Sequence, residues 1–253
     1  MRVNVRKLLI GVPVAGVLFA ILVPFAYFFI GLAVGPPLPQ PATTPVPPLI
    51  AAAIWARANG GRATALRPVT PVSMAQLAAC VAIEDYWDDT PGDARRVEEC
   101  RKYMPALQGV EYLSNVHMRD AGLKTSFREG LARFSTLVSV THSWSKDQFL
   151  RTVADRGEFG LGLRGIEASS RHYFGRAAAE LTLPQAAMLV AFIGDRTTAF
   201  DPWCEPAAAA EMRGRVLQRM RDDQSLDEAA LNAANTSELN LGPPPADHKP
   251  CRD

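Results

Sequence analysis

The stretch Ser145–Pro202, SKDQFLRTVADRGEFGLGLRGIEASSRHYFGRAAAELTLPQAAMLVAFIGDRTTAFDP, decides the fold. Lys146–Arg156 and Ile166–Phe174 both read as helices, parted by a segment that carries Gly160, Gly162 and Gly165. Thr182 followed three residues on by Gln185 forms a capping box, in which each side chain meets a backbone N–H of the other residue. It opens an apolar helix, Leu183–Ile193, whose Pro184 falls in the first turn, where a missing N–H costs nothing. Downstream, Ala207–Arg221 reads as another helix, stopped by the Asp222-Asp223 turn. No run shows the two-residue alternation of a half-buried strand, so the expected fold class is all-α.

Upstream, Ser73 with Gln76 suggests a second capping box, after which Met74, Leu77 and Val81 recur on one helical face that Glu84 ends. Leu49–Arg57 is a short apolar helix that ends at Gly60-Gly61, and packing on the domain is preferred to lying in a membrane interface. Seven prolines crowd into Pro36–Pro48, which predicts an extended, semi-rigid stalk that lifts the domain off a bilayer. Residues 8–35 contain no charged side chain, and at about 1.5 Å per residue such a helix exceeds a hydrocarbon layer roughly 30 Å thick. A cleaved signal peptide competes, but its apolar core is about 7–15 residues long and no small-x-small cleavage site follows. Arg2, Arg6 and Lys7 precede the span and the next basic residue is Arg57, so the N-terminus is expected in the cytoplasm and the rest outside. The expected organisation is a cytoplasmic N-terminus (1–7), a transmembrane helix (8–35), a Pro-rich stalk with a short helix (36–69), one domain (70–225) and a C-terminal tail (226–253). From Asn235 on, the tail is expected to be loosely ordered except where Cys251 ties it down. The 253 residues leave room for one such domain.

With 27 basic and 26 acidic side chains the net charge is +1, so no overall field favours a nucleic-acid partner. Cys80, Cys100, Cys204 and Cys251 all fall in the outer segment, where an oxidising compartment favours disulfides. Of three possible pairings, Cys80 with Cys100 and Cys204 with Cys251 close the shorter loops. A zinc site ranks below disulfides, since no CxxC pair or HExxH helix is present. His117, His142, His172 and His248 show no metal spacing.

Two stretches resemble the peptidoglycan glycosyltransferases of family 51. Pro71–Gly92, PVSMAQLAACVAIEDYWDDTPG, is similar to the helix and first motif of that family, EDxxFxxHxG, with Glu84 and Asp85 matching. Ser145–Met220 resembles the fourth motif, KxxILExYLN, then a glycine-rich turn, an aromatic-FG segment and the fifth motif, RRxxVL. Lys146 and Leu150 match the fourth motif; Gly160, Gly162, Gly165, Tyr173, Phe174 and Gly175 match the segment between; Arg213, Val216 and Leu217 match the fifth. The resemblance implies an all-α, lysozyme-like two-lobed glycosyltransferase domain preceded by one transmembrane helix. It also implies polymerisation of lipid II at the outer face of the bacterial inner membrane, in the periplasm.

In the family a first-motif carboxylate acts as general base on the acceptor hydroxyl, which attacks the anomeric carbon of a lipid-pyrophosphate donor with inversion. Glu84 occupies that position, and burial there would raise its pKa toward neutrality, where a base works best. For the third motif, RKxxE, an ungapped count back from Ser145 places Arg133 at the glutamate, with Glu129 one helical turn earlier and on the same face. Glu84 and Glu129 are thus the catalytic candidates, and Asp85, Lys146, Arg151 and Arg213 the substrate-binding ones. Several family features are altered. GGSTITQQ has no counterpart, the first motif is one residue short and lacks its histidine, and Arg151 and Asp155 replace the fourth motif's glutamate and asparagine. Each change removes a positioning group, and positioning supplies many kcal/mol of rate. No cofactor is expected, although Asp85, Asp88, Asp89 and Asp93 could share a divalent cation, because hard ions take several carboxylate oxygens. Lys146, Arg151, Arg156 and Arg164 could line a site for pyrophosphate or anionic glycan. Ser143–Lys146 reads SxxK, as in transpeptidases, but no KTG follows.

Three functions fit: an attenuated glycosyltransferase, a non-catalytic scaffold or regulator that uses the old substrate groove, or a strand-cleaving lytic enzyme with one acid. The partners expected are lipid II or a glycan strand, the inner membrane and other cell-envelope proteins.

Overall fold

The computed structural model of the chain describes residues 5–77, 80, 106–194, 201–246, 248 and 251, with helical side chains from Leu18 onward. Its helices are α1 (Val5–Val34), α2 (Pro48–Arg57), α3 (Leu107–Asp120), α4 (Phe127–Ser143), α5 (Lys146–Arg156), α6 (Ile166–Phe174), α7 (Leu183–Ala191), α8 (Pro206–Asp222) and α9 (Glu228–Thr236). Residues 71–77 are also helical, and Ala178–Glu180 form one 3₁₀ turn. Among the described residues β-structure is limited to two isolated bridges, Glu158 with Arg164 and Phe159 with Ile193. The all-α expectation therefore holds. The chain divides into two compact units.

The first unit holds Met1–Pro39, Arg67–Met104 and His117–Ser143, and α1 lies along α4 within it. Close approach depends on small residues. A Cβ on Gly35 would come within 2.9 Å of the Ala132 Cβ, and one on Gly31 would overlap the Leu131 carbonyl and the Ser135 hydroxyl. Ser135 Oγ donates to the Phe28 carbonyl (2.7 Å), and Tyr27 meets Phe127 and Phe134 edge to face, at 5.9 and 5.4 Å. Arg128 Nε donates to the Val34 carbonyl (2.7 Å), where the C-terminal end of α1 welcomes a cation. The outer face of α1 exposes Phe19, Leu22 and Phe29. Among the described residues no helix is long and apolar enough to cross a membrane.

The helix at 71–77 starts from a different cap than expected. The Ser73 N–H donates to Thr70 Oγ1 (3.1 Å) and the Thr70 N–H to Ser73 Oγ (2.9 Å), so the box is Thr70 with Ser73, one turn before the expected Ser73 with Gln76. Pro71 then occupies the first helical position, which its fixed φ favours.

The second unit holds Gln40–Leu66, Pro105–Val116 and Trp144–Asp253. Helix α2, one residue longer at its start than expected, buries Ile50, Ala53, Ile54 and Trp55 against α5, α7 and α8, so packing is its role. The stretch before it is extended, as expected, but from residue 40 on it does not stand free. The Ala42 N–H donates to Thr152 Oγ1 (2.9 Å) and Arg151 Nη1 to the Thr43 carbonyl (2.9 Å), which fastens it along α5 as a strap. In the glycine-rich turn Gly160 has φ +79°, and a Cβ there would meet the Tyr173 hydroxyl at 2.8 Å. Only glycine suits both conditions. Helix α6 stops at Gly175, left-handed at φ +65°, whose N–H closes on the Arg171 carbonyl (2.9 Å).

The tail is more ordered than expected. Asp227 caps α9 through the Ala230 N–H (2.7 Å), and the Gly242 N–H then donates to the Tyr173 carbonyl (2.8 Å). Gln185 Nε2 donates to the Leu239 carbonyl and Trp203 Nε1 to the Gly242 carbonyl, both at 2.9 Å. Cys204 and Cys251 form the expected disulfide. Cys80 is also in a disulfide, while Cys100, its expected partner, lies outside the described residues.

Candidate functional site

Glu84 and Asp85, with the acidic run Asp88, Asp89 and Asp93, lie outside the described residues. Glu129 sits in the first turn of α4, its N–H donating to Ser126 Oγ (3.2 Å). Its side chain is mostly buried, and the carboxylate lies 3.7 Å from Nε of Arg133, the residue that the ungapped count sets at the third-motif glutamate. The pair is one helical turn apart, and opposite charges at that spacing attract.

Helix α5 begins at Ser145, whose Oγ accepts from the Gln148 N–H (3.2 Å) while Gln148 Oε1 accepts from the Ser145 N–H (2.8 Å). Lys146 is the first residue after that cap. Its Nζ stands 4.0 Å from the centroid of the Trp55 ring and donates to the Ala63 carbonyl (3.2 Å). Burial holds the Lys146 ammonium below its ordinary pKa, partly opposed by the Asp223 carboxylate. Burial raises Asp223 in turn, with Asp222 adding to the rise and Lys146, Arg219 and Arg62 opposing it. Asp223 Oδ2 is buried without a hydrogen-bond partner among the described residues.

Arg151 points the other way from α5. Its Nε pairs with Asp147 Oδ2 at 2.8 Å, and Nη1 holds the strap at Thr43. Asp155, expected from the sequence to replace the fourth motif's asparagine, is half-exposed and 3.8 Å from Arg156 Nε. Arg151 and Asp155 line one cavity of about 410 Å³, together with Arg164, Glu167 and Arg171. Three guanidinium groups outnumber two carboxylates there, which suits an anionic group, although Arg171 is tied to Glu167 at 2.7 Å. The structure thus brings Arg151 and Arg164 together, as their charges suggested, and sends Lys146 elsewhere. Glu167 and Arg171 were not singled out in the sequence, where an i, i+4 pair on a short helix looks like any solvated face.

Arg213, expected to bind substrate, is 6% exposed, and its fork is engaged internally. Nη1 donates to the Ser237 carbonyl (3.0 Å) and Nη2 to the Asn235 carbonyl (2.6 Å), which clamps the C-terminal end of α9. Burial lowers its pKa, but a guanidinium stays charged at physiological pH. Ser143 of the SxxK tetrapeptide donates its hydroxyl to the Ser139 carbonyl (2.7 Å).

Residues 113–221, from the middle of α3 to the end of α8, match the family model described as Transglycosylase. The biosynthetic peptidoglycan transglycosylase of Marinomonas sp. (strain MWYL1) is 46% identical over 70 residues, covering 28% of this chain and 31% of the relative. That of Shewanella oneidensis is 29% identical over 119 residues, covering 46% of this chain and 47% of the relative. Penicillin-binding protein 2D of Bacillus subtilis is 27% identical over 185 residues, covering 70% of this chain and 26% of the relative. The chain spans between a quarter and a half of the length of these relatives. Arg133, Arg151, Asp155 and Arg213 all fall inside the matched segment, which belongs to the transglycosylase family as a family 51 peptidoglycan glycosyltransferase domain.

Proposed function

We propose that the chain is a membrane-anchored protein of the bacterial cell envelope whose lysozyme-like, two-lobed domain engages lipid II or nascent glycan strands at the outer face of the inner membrane, with lipid II polymerisation attenuated. The observation that carries this reading is the match over residues 113–221 combined with the fate of its altered positions. Where the family's fourth motif has a glutamate, Arg151 is bound to Asp147 and to the strap at Thr43. Where the third motif has one, Arg133 pairs with Glu129. A domain that keeps its scaffold while reversing charge at two such positions is suited to holding a pyrophosphate-linked glycan more than to turning it over. The apolar sequence of residues 8–35 and the exposed Phe19, Leu22 and Phe29 support anchoring by α1.

The retained Glu84-Asp85 pair favours a second reading, residual glycosyl transfer with Glu84 as base. Labelled lipid II offered to the wild type and to Glu84→Gln separates the two. Binding without polymer in both proteins supports the scaffold, whereas polymer made by the wild type and lost in the variant supports transfer. Anhydro-muropeptides released from peptidoglycan would instead mark a lytic enzyme, and absence of lipid II and glycan binding would sink all three. Anchoring is tested separately by alkaline carbonate extraction of membranes, where release of the chain into the supernatant refutes it.

A further inference from the structure

The disulfide between Cys204 and Cys251 stands inside a set of four residues whose spacing is symmetrical: Asp201-x2-Cys204 on one strand of chain and His248-x2-Cys251 on the other. One ligand atom each from Asp201, Cys204 and His248 lies within 4.8 Å of the others, and Cys251 is bonded to Cys204. The group is prearranged. The Trp203 N–H holds Asp201 Oδ1 (3.0 Å), which leaves Oδ2 to accept from His248 Nε2 (2.7 Å). The Cys204 and Glu205 N–H groups both close on the Asp201 carbonyl, at 3.1 and 2.7 Å, so residues 201–204 form a tight knuckle. The Trp203 ring meets the His248 ring edge to face at 5.1 Å, and Asp201 is 6% exposed.

We propose that in its dithiol form this cluster is a tetrahedral zinc site, with Asp201, Cys204, His248 and Cys251 as ligands. A carboxylate, an imidazole and two thiolates are zinc's preferred donors, and pairs separated by two residues are its usual spacing. A fixed carboxylate and a packed imidazole supply the orientation that ligands need from their surroundings. The exchange balances. An external dithiol donates two electrons and two protons to the Cys204–Cys251 bond and leaves as its own disulfide; Zn²⁺ then displaces the two thiol protons and, with the His248 proton relocated from Nε2 to Nδ1 through solvent, takes the place of the hydrogen bond between His248 Nε2 and Asp201 Oδ2. Disulfide and metal are alternative fasteners of one clasp, which holds the tail over Tyr173 and Trp203 in either redox state.

The test is an anaerobic titration of the purified full chain with Co²⁺, a spectroscopic stand-in for zinc, before and after dithiol reduction. The reduced chain should take up about one equivalent, with a thiolate-to-cobalt charge-transfer band and the intense visible bands of tetrahedral cobalt, and the oxidised chain none. His248→Ala and Asp201→Ala, which keep every thiol, should each weaken uptake by about tenfold or more. A reduced chain that takes up no cobalt overturns the proposal. So do variants that bind as tightly as the wild type, since the metal would then sit on other thiols.

Discussion

The ammonium of Lys146 stands over the Trp55 ring, 4.0 Å from its centroid, and joins the start of α5 to the core helix α2 through a contact between positions 91 residues apart. Asp223 is the acid that offsets this partly buried cation, and burial raises its carboxyl above the ordinary 3.8. The sign follows from linkage. Below about 3.8 the acid is protonated in both states; as pH rises through the raised native value, the folded chain must ionise a half-buried carboxyl and loses stability. Asp223→Asn should remove that loss, so denaturant melts of the variant across the weakly acidic range should be flatter with pH than those of the wild type. Lys146→Met should steepen it, because the nearest opposing cation is gone. Identical slopes in all three proteins would refute the assignment.

Much of this unit was legible in the sequence because its signals are local. Lys146–Arg156 and Ile166–Phe174 have the expected limits, and the Thr182–Gln185 box opens α7 with the glutamine accepting the Thr182 N–H at 3.0 Å. Helices α3 and α4, where the sequence reading assigns no element, were not. Their buried faces mix apolar residues with Ser114, Ser135 and Thr141, whose hydroxyls return to the Val110, Leu131 and Val138 carbonyls of their own helices. Such residues are interior here yet read as polar breaks in a hydrophobic period. The internal engagement of Arg213 was hidden for a related reason. Its partners are backbone carbonyls more than twenty residues away, and no side-chain pattern announces a carbonyl. The zinc-like spacing was hidden because one of its four members is an aspartate.

Close packing of α1 on α4 should fail when Gly31 acquires a side chain. Gly31→Leu would drive a Cβ into the Leu131 carbonyl and the Ser135 hydroxyl, and overpacking of this kind costs about 1–3 kcal/mol. Thermal melts in detergent should show the loss, whereas Phe29→Ala, on the exposed face of α1, should leave the transition close to that of the wild type. Equal effects of the two changes would mean that α1 does not lie on α4 through Gly31.

Arg213→Lys should fray α9. A lysine carries the charge but has no planar fork, so it cannot donate to the Asn235 and Ser237 carbonyls together. Loss of a charged hydrogen bond to a carbonyl costs about 1.5–3 kcal/mol. Amide exchange across Glu228–Thr236 should quicken while Leu183–Ala191 stays protected, and trypsin should cut the tail sooner once Cys204–Cys251 is reduced. Lipid II binding should survive in the oxidised chain, because the side chain is buried and engaged by the Asn235 and Ser237 carbonyls. A binding loss without faster exchange would return Arg213 to the substrate site.

An acid at position 151, where the sequence reading expects the family's glutamate, should not raise lipid II polymerisation. Arg151→Glu would place a carboxylate one turn from Asp147, where like charges repel, and would delete the donor that holds the Thr43 carbonyl. Of the two hydrogen bonds that fasten the strap to α5 among the described residues, the Ala42 N–H bond to Thr152 would remain, so cleavage between residues 40 and 47 should accelerate several-fold in limited proteolysis. The surface ion pair contributes little, about 0–1 kcal/mol, and most of the effect should come from the lost carbonyl bond. Arg151→Gln, which keeps a donor and adds no charge, should therefore release the strap less than Arg151→Glu does. If Arg151→Glu instead gains lipid II polymerisation with the strap intact, the scaffold reading gives way to an enzyme held back by one residue.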